Sequence, residues 1–302
     1  MNFLDEIFPN VNHFTKKAII GVLVALLLFS IGFGNGAASN QINATLEGAN
    51  APAANQAVVA TQPAATQPAT TQPAATQPAG NDAPSQDAAP TEKPEGGDAS
   101  GSLSTPAEII AYFNESANKV KTNATSVTRN WEDLHADNEY LEVPSALQSI
   151  GKTLMNTFLK KDETPITWAS QAEIIENYPV AKQNFVSNAR EADVAEATCN
   201  DDGTYYNITL KFNECTDPQG TGCANAFNVI NADDVYSNAS VVQNFTCKYY
   251  DAKIECKIEK ATGNLVAATY TLPIIMNVSA KVLVTLDAQV GMTFIDDYTI
   301  AY

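Results

Sequence analysis

The feature that most constrains the fold is a two-residue alternation of apolar and polar side chains over residues 266–302. Apolar residues occupy the even positions from Val266 to Val282 and, apart from Asp296, from Leu286 to Tyr302. Thr, Asn, Ser, Lys, Asp, Gln and Gly fill most of the odd positions. Because successive side chains of a β-strand point to opposite faces, the pattern predicts two long strands, each with one buried face.

A tight loop at 283–285 would join these strands into an antiparallel hairpin. The predicted register pairs Tyr270 with Tyr298 and keeps every even side chain on one face. Arms this long must twist and curl, and Pro273 and Gly291 are the expected places for a bulge or a bend. We therefore predict a long, curved antiparallel sheet with a single apolar face.

Helices are predicted upstream of this sheet, where the apolar spacing becomes 3.6 residues. Residues 105–108 form a capping box with proline at the first helical position, and an apolar stripe follows to about Lys121. A second helix is predicted after Pro144, with an apolar side that extends from Leu147 to Phe158, and a third begins at Ser170 and stops before Pro179. The predicted fold class is α+β, with the curved sheet packed against two or three N-terminal helices.

Shorter strands are predicted elsewhere in the same domain. Residues 125–131 are one such strand, and alternating apolar residues from Tyr206 to Phe212 predict another. Residues 105–302 are enough for one domain that contains all of these elements.

Residues 18–34 are predicted to hold the chain at a membrane, because they are uncharged and follow Lys16 and Lys17. Seventeen residues are near the lower limit for a span. The positive-inside rule places the head, 1–17, in the cytoplasm and the C-terminal part outside. A retained single-pass anchor is favoured because the head is long for the N-terminal region of a signal peptide and carries Asp5 and Glu6. Cleavage near residues 36–38, which would give a secreted protein, is the alternative.

Residues 35–104 are predicted to be a disordered linker rich in Pro, Ala, Thr and Gln. A five-residue TQPA-type repeat begins at Thr61, Thr66, Thr71 and Thr76. The segment has too little apolar surface to offset the entropy of ordering, and its prolines favour an extended spacer. Residues 105–302 then form an extracytoplasmic domain carried by this linker.

The charge of the chain disfavours nucleic-acid partners. The formal net charge is −17, and from Thr105 onward 14 Lys and Arg stand against 26 Asp and Glu. Such a surface repels phosphate backbones and anionic headgroups.

The five cysteines all lie in the extracytoplasmic part, which permits disulfides. Residues 245–260 are predicted to form a hairpin centred on Asp251 and Ala252, in which Cys247 faces Cys256 as a non-hydrogen-bonded pair. The close approach of such a pair suits a disulfide, and two buried thiols are the alternative. Cys215 and Cys223 flank a loop and form a second candidate disulfide, which leaves Cys199 without a partner.

No catalytic, cofactor-binding or metal-binding residue can be assigned from motifs. The sequence has no nucleophile elbow, zinc-protease motif, phosphate-binding glycine loop or C-x-x-C pair. His135 is the one histidine of the domain and is expected in a surface loop. Asp296 interrupts the apolar face, either where that face meets water or at the mouth of a ligand site. Seven N-x-[ST] sequons, including those at Asn114, Asn207, Asn244 and Asn277, are close to chance expectation.

The segments 197–199 and 202–211 resemble part of uncharacterised surface-protein domains of Gram-positive gut anaerobes, in which a membrane segment and a low-complexity linker precede the domain. The resemblance extends over residues 104–302. It implies no activity, and an anaerobic source would disfavour the disulfides. Relatives carry a cytoplasmic zinc ribbon, but residues 1–17 contain no cysteine, so no metal function carries over.

Three functions remain open at this point. The preferred one is a non-enzymatic binding or structural domain of a bacterial cell surface, with an unknown cell-wall or surface partner. The alternative is a carrier that encloses a lipid or another apolar ligand between the curved sheet and the helices. A hydrolase built on scattered carboxylates is the least favoured.

Overall fold

The computed structural model describes an α+β structure that is mostly antiparallel sheet, which confirms the predicted fold class in its coarse form. The described residues are 103–143, 152–153, 156, 159–238, 241–281 and 285–302. The strands are β1 Ser126–Glu142, β2 Ile166–Trp168, β3 Val194–Asp201, β4 Tyr205–Phe212, β5 Cys215–Thr216, β6 Val242–Tyr249, β7 Lys253–Glu259, β8 Asn264–Lys281 and β9 Thr285–Ala301. The helices are α1 Pro106–Asn118, α2 Val120–Asn123, α3 Gln171–Asn177 and α4 Ala232–Asn238.

Several predicted segments fall outside the described residues. These are the head, the membrane segment 18–34, the linker up to residue 102 and most of the helix predicted over 147–158. Within the described part of the chain, no helix is long and apolar enough to cross a membrane.

The long C-terminal hairpin is confirmed, with arms of 18 and 17 residues. Strands β8 and β9 pair without interruption over 267–281 and 285–299. The predicted register is wrong by two residues, because Tyr270 lies opposite Asp296 and Tyr298 lies opposite Ala268. A shift of two residues leaves each side chain on its own face, so the alternation determines the face but not the partner.

The two faces of this hairpin differ as the alternation predicts. Every even side chain of β8 from Ala268 to Ala280 is buried, together with Phe113 and Ala117 of α1 in the same core. We call this side of the sheet the inner face and the opposite side, which carries the odd side chains of β8 and β9, the outer face. A bulge at the start of β8 buries Leu265 in place of Val266.

Both predicted capping boxes are present. The Glu108 amide donates to the Thr105 hydroxyl at 3.3 Å, and the Thr105 amide donates to the Glu108 carboxylate at 2.9 Å. Ser170 and Glu173 make the same reciprocal pair at the start of α3. Helix α1 ends at Asn118, and Val120, the last apolar residue of the predicted stripe, lies in the short helix α2.

Strand β8 has two successive partners along the edge opposite β9. Strand β7 pairs with the first half of β8, and β6 pairs with the second half. Strands β6 and β7 therefore lie end to end beside β8 and do not pair with each other. The predicted hairpin between them is wrong. The change of partner occurs at Pro273, whose ring nitrogen has no proton to donate and whose carbonyl accepts from the Tyr250 amide at 3.3 Å. Buried and more exposed side chains alternate along most of β6 and β7, and the 18-residue strand β8 is long enough to pair with both strands.

Strand β1 is much longer than the predicted 125–131, because it pairs with β9 along almost its whole length. Its many polar residues after Trp131 obscure the alternation in the sequence. Gly291 stays in register opposite Ile275 and does not itself form a bulge. The irregularity lies across from it, in β1.

Candidate functional site

The structure places the two candidate cysteine pairs very differently. The Sγ atoms of Cys215 and Cys223 are 2.7 Å apart, where β5 meets the short turn over 222–225. All five cysteines are free thiols in the structure. A disulfide between these two residues stays a prediction, and their proximity favours it.

The structure does not bring Cys247 and Cys256 together. Cys247 lies opposite Met276 and Cys256 lies opposite Ala268, in two different halves of β8. At about 3.3 Å per residue along a strand, this separation is roughly 26 Å, whereas the Cα atoms of a disulfide lie within about 7 Å. Cys199 is separated from Cys256 by Ile208 of the intervening strand β4.

The histidine singled out in the sequence is a surface residue, but it lies on a strand instead of in a loop. His135 lies on the outer face of β1, and its Nδ1 atom is 3.1 Å from Oδ2 of Asp133. The contact is exposed to solvent and includes no nucleophile. It is a side-chain contact on the protein surface.

Asp296 belongs to a small charged cluster on the inner face. Nη1 of Arg129 lies 2.9 Å from Oε2 of Glu132 and 3.9 Å from Oδ1 of Asp296. A cavity of about 20 Å³ beside Asp296 is large enough for about one water molecule. A guanidinium balanced by two carboxylates at the margin of a core is a structural arrangement, and the cavity is too small for a ligand mouth.

A larger concave surface lies on the outer face, where β6, β8 and β9 run side by side. It is a groove of about 280 Å³, which we call the outer groove. Its exposed side chains come from two neighbouring rungs of the sheet. Phe245, Val278 and Ala288, whose side chains are buried, also border the groove. The first rung consists of Asn244, Ser279 and Asp287, and the second of Thr246, Asn277, Gln289 and Glu142.

The outer groove is bordered by an irregular stretch of β1. Residues 138–141 are inserted where Asp137 pairs with Gly291 and Glu142 pairs with Gln289, so they lie opposite a single residue of β9. A Cβ atom at Gly291 would be 2.7 Å from the Cβ atom of Tyr140, so only glycine leaves room for this stretch on the outer face. We call residues 138–141 the β1 bulge.

Two tyrosines fix the β1 bulge in place. The ring of Tyr140 packs edge-on against that of Tyr250, with a centroid distance of 5.5 Å. The Tyr250 hydroxyl donates to Oδ2 of Asp137 at 2.7 Å. Burial and the hydrogen bond to this carboxylate both raise the pKa of Tyr250, so its hydroxyl stays protonated and continues to donate at neutral pH.

The outer groove is built for hydrogen bonding. Among its described lining residues, the ionisable ones are Glu142 and Asp287, and none is a lysine or an arginine. The Ser279 hydroxyl donates to the Asp287 carboxylate. The side chain of Gln289 makes a long contact, with Nε2 3.5 Å from the Tyr140 carbonyl oxygen. In the parts of the chain that the structure describes, no group of three or more His, Cys, Asp or Glu side chains could hold a metal ion.

Sequence reasoning missed the outer groove, although part of its signal was visible. Asn244 with Thr246, and Asn277 with Ser279, are two of the sequons that the sequence offers. On a strand the N-x-[ST] spacing places an amide and a hydroxyl on the same face. The sequence did not indicate that β6 pairs with β8, and this pairing places the two triplets side by side.

Comparison of the chain with models of known families, with curated proteins and with solved structures found no match.

Proposed function

We propose that this chain is a binding domain of a bacterial cell surface, tethered to the membrane outside the cytoplasm, which holds its ligand in the outer groove and catalyses no reaction. One observation carries the proposal. Two rungs of amide, hydroxyl and carboxylate side chains line a groove of about 280 Å³ on the solvent-facing side of the sheet. This volume is just below the range typical of small-ligand sites, about 300–1,000 Å³.

The organisation of the chain supports a position at the cell surface. The uncharged segment 18–34 and the linker 35–104 would hold the domain away from the membrane, at a distance that suits contact with wall material. The resemblance to tethered surface-protein domains points to the same setting. The linker needs no structure of its own to serve this purpose.

The carrier hypothesis has weaker support. It requires a ligand chamber between the helices and a curved sheet, and the helix predicted over 147–158 would be part of its wall. The described residues beside the inner face enclose a cavity of about 20 Å³, which holds about one water molecule. Beside this cavity, Tyr270 and Tyr298 of the inner face pack against each other and against Tyr178.

Co-sedimentation with cell walls tests the proposal. The full chain, purified in detergent, is mixed with washed walls of a Gram-positive bacterium, and the bound fraction is measured. We expect the wild type to sediment and the double variant Asn277→Leu, Gln289→Leu to remain in the supernatant. Thr209→Val, on the outer face of β4 and away from the groove, is the matched control and should sediment normally.

Equal sedimentation of the three proteins would reject the outer groove as the binding site. Failure of the wild type to sediment would reject a wall ligand. Protease treatment of intact cells gives a separate readout, since a domain outside the membrane should be digested without lysis.

A further inference from the structure

We propose that the ligand of the outer groove is a neutral, hydroxyl-rich molecule, namely a segment of an uncharged oligosaccharide; this inference rests on the proposed function. The inference comes from the balance of donors and acceptors along the two rungs. Asn244, Asn277 and Gln289 supply side-chain amides, and Thr246 and Ser279 supply hydroxyls.

The amide donors of the groove make a cationic ligand a poor match. Each side-chain amide has an NH₂ group with two protons to donate, as well as a carbonyl oxygen that accepts. An ammonium or guanidinium group has no lone pair to accept those protons, so it would leave the amide donors of Asn277 and Gln289 unused. A ligand that satisfies them must carry acceptors.

The carboxylates exclude an anionic ligand for the complementary reason. Glu142 and Asp287 only accept hydrogen bonds when they are ionised, and the lining described for the groove includes no basic side chain to offset them. A phosphate or carboxylate group placed here would face two like charges. Sugar hydroxyls both donate and accept, so they match amides and carboxylates in the same site.

The dimensions of the groove suit an extended ligand. The second rung crosses four strands, β6, β8, β9 and β1, from Thr246 to Glu142. Neighbouring strands are about 4.8 Å apart, so this rung is roughly 14 Å long, and the first rung runs beside it at about 7 Å. A short oligosaccharide can therefore lie along the rungs and contact several of these side chains at once.

The test uses the full chain in detergent and a panel of fluorescently labelled neutral oligosaccharides of glucose, galactose, mannose and N-acetylglucosamine. Fluorescence anisotropy measures the dissociation constants. We expect at least one neutral oligosaccharide to bind, and Asn277→Leu or Gln289→Leu to weaken that binding about tenfold, consistent with losing hydrogen bonds that have no replacement. Thr209→Val should bind as the wild type does.

A second substitution, Asn277→Asp, separates the loss of hydrogen bonds from a failure to fold. It keeps the shape of the side chain and removes its NH₂ donors. It should also bind the neutral oligosaccharide more weakly while it unfolds at a temperature close to that of the wild type. Unchanged binding by Asn277→Asp and Gln289→Leu would overturn the inference.

The outcomes separate this inference from the proposed function. If no neutral oligosaccharide binds, but walls are still retained in a manner that depends on Asn277 and Gln289, the ligand class is wrong and the groove stands. If only amine-bearing or phosphate-bearing polymers bind, the ligand class is again wrong. If neither walls nor oligosaccharides bind, both proposals fail.

Discussion

Lys121 shows how one buried cation shapes the stability of this domain. It lies in α2 with 3% of its surface exposed, and its Nζ donates to the Val180 and Gln183 carbonyls at 2.5 and 2.9 Å. Burial disfavours the charged ammonium and lowers the pKa of Lys121 to about 7. The pKa of an unfolded lysine is about 10.4.

The first prediction concerns the pH dependence that follows from this difference. Above about pH 7 the unfolded chain binds more protons at Lys121 than the folded one does, so this residue makes the free energy of unfolding rise as pH increases. Below about pH 7 both states are protonated and its contribution is constant. Between about pH 7 and pH 9, urea unfolding of the wild type should show a rise, on the order of 1–2 kcal/mol, that is absent from Lys121→Met.

Lys119→Met is the control for this measurement. Lys119 is adjacent to the same helix but is only partly buried, and it forms an ion pair with the exposed Glu115 at 3.1 Å. Its removal should leave the pH profile parallel to that of the wild type. If Lys121→Met also runs parallel to the wild type over this pH range, burial of Lys121 has no such effect.

At the scale of the element, the β1 bulge depends on the absence of a side chain at Gly291. A Cβ atom there would be 2.7 Å from that of Tyr140 and 3.0 Å from that of Asp137. Gly291→Ala should therefore displace the bulge and destabilise the protein by about 1–3 kcal/mol, the usual cost of overpacking. Thermal and urea unfolding measure this loss of stability. If the bulge is displaced, the Gly291→Ala variant should also bind the ligand of the outer groove more weakly.

A double-mutant cycle identifies the contact responsible. Tyr140→Gly removes the nearest Cβ atom, so Gly291→Ala should cost less in that background than in the wild type. The same cost in both backgrounds would place the effect of Gly291→Ala elsewhere in β9.

Strand pairing also decides which cysteines can react with each other. Because β6 and β7 pair with different halves of β8, Cys247 and Cys256 should never be joined, whereas Cys215 and Cys223 are in contact. Mild oxidation of the full chain, followed by digestion and mass spectrometry without reduction, should yield a peptide that joins Cys215 to Cys223. A peptide that joins Cys247 to Cys256 would contradict the strand order.

The same elements show how far the sequence could predict this protein. The burial of Tyr270 and Met276, the length of the hairpin and both capping boxes follow from local spacing, because each depends on residues close together in the chain. The change of partner at Pro273 and the β1 bulge opposite Gly291 depend on which strands meet. Period-two alternation is satisfied by several pairings, so it could not reveal these features or the groove that they create.

At the scale of the whole molecule, charge is the property most relevant to ligand choice. The chain has a formal net charge of −17, and the carboxylates of the outer groove have the same sign as that net charge. Such a field repels anionic wall polymers over a distance of about 8 Å at physiological salt, and it acts little on an uncharged sugar. A neutral ligand would therefore be selected by the hydrogen bonds of the groove and an anionic one rejected by the field.

Salt should separate these two effects. Between about 0.05 M and about 0.5 M NaCl, the dissociation constant of a neutral oligosaccharide should change by less than about twofold, because no charge on the ligand is screened. Association with poly(glycerol phosphate), an anionic polymer, should be undetectable at low salt and strengthen as the repulsion is screened. Tight binding of this polymer at low salt that weakens as salt is added would mean that basic residues attract it, and the ligand site would then lie outside the outer groove.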